Sequence, residues 1–247
     1  MSLTRILGTG FELTDTHIDF FQHLIHQAFP NLDGFQNPVA SINHTDNLYT
    51  YRARGKFIQI FRVHENHWIT ASNIGCKGNS VAIYDSAFDK KKYWNELDKF
   101  YISKLIACEA VKFNVYFPRV TQQLDGKSCG YFAVMYAYLL ANNVRPETVV
   151  IHPNLLKPNL CRMIKTKNIH NLKNVYSYLK KKITHEPRIG SLICVHCVCR
   201  TSSLVQKHDM ICCTECEKWF HKTCCKDIIT EEQFENLKKV WLCRKCR

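Results

Sequence analysis

The chain has 247 residues, a formal net charge of +13 and 14 cysteines. It is longer than one average domain needs, and its longest apolar run, 131–141, is too short and too rich in tyrosine to cross a bilayer. The N-terminal residues lack the apolar core of a signal peptide. We therefore expect a reducing compartment, no membrane partner, and cysteines that bind metal rather than form disulfides.

The hydrophobic pattern predicts an α+β domain. Apolar residues recur at helical spacing from Leu13 to Ala28, where Thr14 or Asp15 can cap a first helix. Three extended segments follow, then a second helix, a further strand and a third helix. These predicted elements are 57–62, 67–73, 80–86, 89–107, 111–117 and 129–141. Together they are enough for a real core.

Cys129 lies where a polar, glycine-containing turn meets the apolar third helix. Unpaired N–H groups at a helix start favour negative charge on a side chain there, so Cys129 is a candidate nucleophile. The alternative for a lone cysteine is a small residue that fills a helix–sheet contact. The rest of the chain decides between the two.

A nucleophilic cysteine needs a base, and the base needs a third group to orient it. His67 begins one predicted strand and Asp85 lies at the end of the next, so adjacent strands would place both at one sheet edge facing Cys129. His64 is as near in sequence and would be a surface-exposed comparison. Gln123 stands six residues before Cys129, across a turn that can fold its amide back to donate to an oxyanion.

These motifs resemble the Ulp/sentrin-specific protease family of papain-like cysteine peptidases. The resemblance rests on His67-Trp68, on YDS at Asp85, on QQLDGKSCGYF from Gln122, and on an opening pattern L-x-D-x-x-I from Leu13. It implies that His67 is the general base, Asp85 its orienter, Cys129 the nucleophile and Gln123 the oxyanion donor, with Trp68 covering a channel for a glycine-glycine tail. Ser128 departs from the family, which usually has an acid before the nucleophile.

The same resemblance implies cleavage after a small residue in a ubiquitin-like modifier or a polyprotein. Similar sequences also occur in transposon-encoded proteases, which leaves a mobile-element origin open. Two rival functions remain: an inactive adaptor that binds chromatin or holds a modifier, and an acetyltransferase built on the same fold.

Ten of the cysteines lie between Cys194 and Cys246. Thiolates and imidazole at such short spacings supply pairs of ligands to tetrahedral zinc, and eight ligands imply two ions. The eight candidate ligands are Cys197, Cys199, Cys213, Cys216, His221, Cys224, Cys243 and Cys246. About fifty residues bury too little apolar surface to fold alone, so the metals are expected to stabilise this module.

The order of these ligands resembles that of the PHD finger. Four cysteines precede the histidine, three follow it, and Trp241 precedes the last cysteine pair. The resemblance implies interleaved sites, one with Cys197, Cys199, His221 and Cys224 and the other with Cys213, Cys216, Cys243 and Cys246. Cys194 with Cys197 also has a zinc-knuckle spacing, so Cys194 is an alternative to Cys199. The resemblance further implies histone-tail binding, with Met210 and Trp219 as candidates for an aromatic cage.

The segment between the two modules is strongly basic. Residues 151–190 contain nine Lys or Arg and one acid, Glu186, so this stretch is a candidate contact for nucleic acid or an acidic surface. We predict three parts: a Ulp-like peptidase domain at 1–155, a basic helical connector at 156–190 and a PHD-type finger at 191–247. The finger and the basic run 180–182 favour a nuclear location, with the cytoplasm as the alternative.

Overall fold

The computed structural model describes residues 12–38, 52–53, 55–63, 66–77, 80–88, 107–108, 112–169, 172, 174–180, 188–194, 210–212, 214–215, 219–221 and 241–242. Of these, it describes the backbone alone for 52–53, 107–108, 112–114, 116, 188–194, 210–212 and 219–221. No helix within these ranges is long and apolar enough to span a membrane.

Helix α1 (Asp15–Ala28) confirms the first predicted helix and begins after Thr14. The backbone N–H of Thr14 donates to Nδ1 of His17 across 3.1 Å, which satisfies a donor at the helix start. The buried apolar side chains of α1 recur at helical spacing and face the core. They are Ile18, Phe21, Leu24 and Ile25.

Among the described residues, six strands form one mixed sheet in the order β1-β3-β4-β5-β7-β10. Strands β3, β4 and β5 are buried along almost their whole length, as expected where both faces of a sheet are covered. The bounds are β1 Asp33–Gly34, β3 Phe57–Val63, β4 His67–Ser72, β5 Ser80–Tyr84, β7 Lys112–Phe117 and β10 Arg188–Cys194. The four predicted strands are confirmed, with ends that differ by about one or two residues.

Helix α2 (Cys129–Ala141) lies at the centre of the core. Every residue of α2 except Tyr138 is buried, because the helix packs on β3 and β4 and against α1 and the next helix, α3 (Pro153–Thr166). The hydroxyl of Thr70 donates to the carbonyl of Ala133 across 2.8 Å, so helix and sheet are also joined by a buried hydrogen bond. The core thus fixes the position of Cys129, the first residue of α2.

The structure differs from the predicted division of the chain near residue 155. That boundary lies inside α3, whose Leu156, Leu160 and Met163 belong to the same hydrophobic cluster as α2. A short antiparallel pair, β8 (Val149–Ile151) and β9 (Tyr176–Tyr178), flanks α3 in the chain, after a 3-10 turn at Pro146–Thr148. Strand β10 then pairs with β7 in the main sheet. Much of the predicted basic connector is therefore built into the domain.

Two further strand pairs lie outside the main sheet. Strands β2 (Arg52–Ala53) and β6 (Ala107–Cys108) pair in parallel, and β11 (Met210–Cys212) pairs antiparallel with β12 (Trp219–His221). The prediction of a second helix at 89–107 was wrong at Ala107, because Ala107 lies in a strand and pairs with Arg52. Its remaining residues, 89–106, lie outside the described part of the chain.

Candidate active site

Cys129 is the first residue of α2 and is buried, with 6% of its surface exposed. Ser128 caps the helix start, and its carbonyl accepts from the backbone N–H of Phe132 across 3.1 Å. The first N–H groups of a helix have no hydrogen-bond partner within the helix. The end of α2 that carries the Cys129 thiol therefore offers hydrogen-bond donors and the positive end of the helix dipole.

His67 and Asp85 meet at one edge of the sheet, as predicted. Strands β4 and β5 run antiparallel, with Thr70 opposite Tyr84, so the start of β4 and the end of β5 lie at the same edge of the sheet. Nε2 of His67 lies 2.7 Å from Oδ1 of Asp85. The carboxylate is almost fully buried, whereas 19% of the His67 side chain remains exposed, which leaves the imidazole open to a substrate.

The imidazole of His67 also lies near enough to Cys129 for that side chain to raise the pKa of His67. Since Nε2 already faces Asp85, Nδ1 is the nitrogen left for the sulfur. Burial by itself lowers the pKa of His67, but the hydrogen bonds to Asp85 and Cys129 and their negative charges outweigh it and raise the pKa to about 9. The structure therefore brings the predicted base, orienter and nucleophile together at one place.

Gln123 lies in the turn before α2, and both ends of its side-chain amide are held. Its Oε1 accepts from the hydroxyl of Ser86 across 2.6 Å, and its Nε2 donates to the carbonyl of Asp125 across 2.6 Å. One N–H of Nε2 remains, since a primary amide carries two. The predicted role of Gln123 as oxyanion donor requires this remaining N–H.

The neighbouring Gln122 was not predicted to have a role, and it joins the turn to the end of β5. Its Nε2 donates to the carbonyls of Asp85 and Val120, at 3.0 and 3.1 Å, and its Oε1 accepts from the backbone N–H of Phe88 at 3.0 Å. The turn is therefore fixed against the segment that carries the orienting acid. The only sequence signal for this role of Gln122 was the pair of consecutive glutamines before a glycine-containing turn.

Asp125 is a second residue that the sequence analysis missed. Its Oδ1 accepts from the N–H groups of Lys127 and Ser128, and its Oδ2 accepts from the Ser128 hydroxyl across 2.7 Å. Desolvation would raise the pKa of Asp125, but these hydrogen bonds and the charge of Lys127 outweigh it and lower the pKa. The acidic residue Asp125 therefore stabilises the turn before Cys129, although Ser128 occupies the position where the family usually has an acidic residue.

Trp68 is buried and helps to hold the chain in front of α1. Its indole N–H donates to the carbonyl of Leu13 across 3.0 Å. A Cβ added at Gly130 would lie 2.8 Å from Cβ of Leu13 and 3.3 Å from Cδ1 of Trp68. Gly130, also missed from the sequence, is thus required for this close packing beside Cys129.

The predicted zinc ligands lie outside the described residues, except that the backbone of His221 is described in β12. His64 also lies outside them. Among the residues that the structure describes, no cluster of His, Cys, Asp or Glu could hold a metal ion. The cage candidates Met210 and Trp219 lie on paired strands, where Cys212 is opposite Trp219 and Met210 is opposite His221.

Residues 37–187 match the family described as the Ulp1 protease family, C-terminal catalytic domain. Two structures of the SUMO protease Ulp1, with the catalytic cysteine oxidised to a sulfonic or a sulfenic acid, align with TM-scores of 0.52 and 0.53. Each is 17% identical, and each alignment covers 67% of this chain and 83% of that chain.

The C-terminal Ulp1 protease domain in complex with Smt3, the yeast ortholog of SUMO, aligns with a TM-score of 0.51 and 17% identity. That alignment covers 67% of this chain and 82% of the other. No curated protein sequence matches the chain. At such low identity, the solved structures show a shared fold.

Proposed function

The chain belongs to the Ulp1 protease family and is a cysteine-type peptidase, and on that premise we propose that Cys129 is its nucleophile, His67 its general base and Asp85 the orienting acid. The observation that carries this proposal is the position of His67, which lies 2.7 Å from the Asp85 carboxylate and near enough to Cys129 for both side chains to raise its pKa. A pKa of about 9 keeps the imidazole protonated at neutral pH, which favours an imidazolium–thiolate pair.

In the proposed reaction the thiolate of Cys129 attacks the substrate carbonyl and forms a tetrahedral intermediate. The free N–H of Gln123 and the backbone N–H groups at the start of α2 would stabilise its oxyanion. The His67 imidazolium then gives its proton to the leaving amine. Water, deprotonated by the neutral imidazole, hydrolyses the thioester and regenerates Cys129.

We propose a ubiquitin-like modifier as the substrate, cut after a glycine-glycine tail. A structural neighbour is described in complex with Smt3, which supports this class of substrate. The packing of Trp68 against Gly130, the residue after Cys129, supports a narrow channel that admits small residues. Cleavage of a polyprotein at a small residue is the alternative within the same chemistry.

A panel of ubiquitin-like proteins, each carrying a C-terminal tag, tests the proposal. We expect the wild type to release the tag from at least one of them, and Cys129→Ala to release none while its thermal midpoint changes little. Cys161→Ala is the matched control, because Cys161 lies on α3 and should retain full turnover. Tag release by Cys129→Ala would remove Cys129 from the role.

For the C-terminal region we propose a PHD-type finger that binds two zinc ions. The backbone N–H and the hydroxyl of Thr214 both donate to the carbonyl of Trp241, at 2.9 and 3.1 Å. Thr214 follows Cys213, and Trp241 precedes Cys243 by two residues, so this contact supports a shared zinc site for those two cysteines.

We propose that this finger binds a histone tail and directs the peptidase to chromatin in the nucleus. The backbone pairing of β11 with β12, on which Met210 and Trp219 lie, supports a joint role of these two residues in a cage. An array of histone peptides that shows no preferred tail would contradict this role. Contact between nucleic acid and the basic segment 151–190 stays a prediction.

A further inference from the structure

We propose that Ser86 is a positioning residue that holds the side-chain amide of Gln123 in place in the turn before Cys129. This inference rests on the proposed function, because it gives Ser86 a task only if Gln123 stabilises an oxyanion. Ser86 follows the orienting acid Asp85 directly in the chain, and 1% of its surface is exposed.

The contacts of Gln123 define which end of its amide faces the reacting carbonyl. A carbonyl oxygen only accepts hydrogen bonds, so the Asp125 carbonyl, at 2.6 Å, must face the Nε2 end. The Ser86 hydroxyl, at 2.6 Å, then donates to the Oε1 end. The Asp125 carbonyl excludes the flipped amide, in which Oε1 would face that carbonyl. The Ser86 hydroxyl could also accept from an N–H, so it holds that end of the amide in place and does not by itself set the orientation.

The orientation matters because the two ends of an amide have opposite effects on an oxyanion. In the observed orientation the remaining N–H of Nε2 stabilises negative charge, and loss of one such donor typically costs about 100- to 1000-fold in turnover. In the flipped orientation a carbonyl oxygen would repel the oxyanion. Without the Ser86 contact only the Asp125 carbonyl would hold the amide, so the enzyme would lose part of its turnover even with Gln123 present.

Ser86 also joins the oxyanion donor to the base. Its carbonyl accepts from the backbone N–H of Gln123 across 2.7 Å, and the carbonyl of Asp85 accepts from Gln122 across 3.0 Å. The same two residues, Asp85 and Ser86, thus hold His67 through the carboxylate and Gln123 through the hydroxyl. The separation between His67 and Gln123 is therefore fixed, because the residues that contact them, Asp85 and Ser86, are adjacent in the chain.

The test is a double-mutant cycle with Ser86→Ala and Gln123→Ala, measured on SUMO fused through its C-terminal Gly-Gly to a coumarin. We expect Ser86→Ala to lower kcat by about 10-fold, less than loss of the donor itself, while KM changes by less than about 2-fold. Since Ser86 acts through Gln123, the double variant should be no slower than Gln123→Ala alone.

Ser72→Ala is the matched control. Ser72 is also buried in this sheet, and its hydroxyl donates to the carbonyl of Phe57 across 2.6 Å, away from the site. It should lose stability to a similar degree yet retain kcat. If Ser86→Ala does not fold, Ser86→Cys replaces it, because a thiol is a similar shape but a weak donor.

Two results would overturn this inference and leave the proposed function intact. One is a kcat in the Ser86 variants equal to that of the wild type. The other is a kcat in the double variant that is lowered by the full product of the two single effects. Absence of turnover by the wild type on this substrate would overturn the proposed substrate class and the inference with it.

Discussion

His67 is the residue whose environment determines how the site responds to pH. Burial opposes its charge, but Asp85 and Cys129 outweigh burial and raise the pKa of His67 to about 9. Its protonated form, which must give a proton to the leaving group, therefore persists through neutral pH. Above the pKa this form is lost, so we expect kcat/KM to fall as the pH rises through about 9.

Asp85→Asn tests the cause of this raised pKa. The variant loses the carboxylate charge and its strong hydrogen bond, so the alkaline fall in kcat/KM should move to lower pH. The maximal rate should drop by about 100-fold, because general acid–base catalysis contributes that much or more. Asp19→Asn, on the exposed side of α1, should leave the pH profile unchanged. A profile unaltered in Asp85→Asn would show that the carboxylate does not set the pKa.

The same protonation stabilises the folded state. The pKa of His67 is higher in the folded protein than its ordinary value of 6.5. The folded state therefore holds this proton more tightly than the unfolded chain. The resulting stability is fully present below pH 6.5 and is lost as the pH rises through about 9. Thermal midpoints measured across that window should fall more for the wild type than for Asp85→Asn.

At the scale of elements, the start of α2 depends on a close approach that only glycine permits. An added methyl group at Gly130 would lie 2.8 Å from the side chain of Leu13. We expect Gly130→Ala to cost about 1–3 kcal/mol through overpacking, only partly offset by up to about 1 kcal/mol of helix propensity. It should also lower kcat/KM, because Trp68 lies against the same position.

Gly55→Ala is the control for this prediction, since a Cβ at Gly55 would meet nothing within 4 Å. Urea denaturation and turnover, measured on both variants, check it. Equal effects of the two substitutions would show that the contact of Gly130 with Leu13 and Trp68 is unimportant.

The elements near Cys129 could be predicted because their hydrophobic patterns are strong. Helix α1 has a clear apolar face, and β3 to β5 are short apolar runs separated by polar turns. Pairing of β4 with β5 followed from the short link between them, and it brought His67 to Asp85. In these cases local sequence and tertiary packing favour the same structure.

Other features depend on contacts between distant parts of the chain, which a sequence pattern does not contain. Strand β6 forms at Ala107 because it pairs with Arg52, and α3 continues past the predicted boundary because its apolar face packs against α2. The roles of Ser86, Gln122 and Asp125 arise from hydrogen bonds in a turn whose path the residues alone did not define. Polar residues in turns are common, so none of them stood out.

At the scale of the whole molecule, the peptidase core and the proposed finger should have independent sources of stability. Among the described residues, the hydrophobic cluster around α2 runs in sequence from Leu13 to Val175 and so draws on the peptidase part of the chain. We therefore expect a chelator to remove about two zinc ions per chain and to unfold the finger. Turnover of a modifier reporter should remain near the untreated level.

Elemental analysis, combined with near-ultraviolet circular dichroism and turnover before and after chelation, checks this prediction. Loss of the peptidase activity in parallel with the metal would show that the two parts fold as one unit. A metal content near zero in freshly purified protein would contradict the proposed finger.

Covalent capture is the most direct measurement of the central claim, that Cys129 acts as a nucleophile beside His67 and Asp85. The full chain is incubated with SUMO whose C-terminal glycine is replaced by a vinyl sulfone, and the modified peptide is identified by mass spectrometry. We predict a single adduct on Cys129, formed much more slowly in His67→Ala. An adduct on Cys76 or Cys161 instead, or a rate of capture that does not depend on His67, would contradict the account.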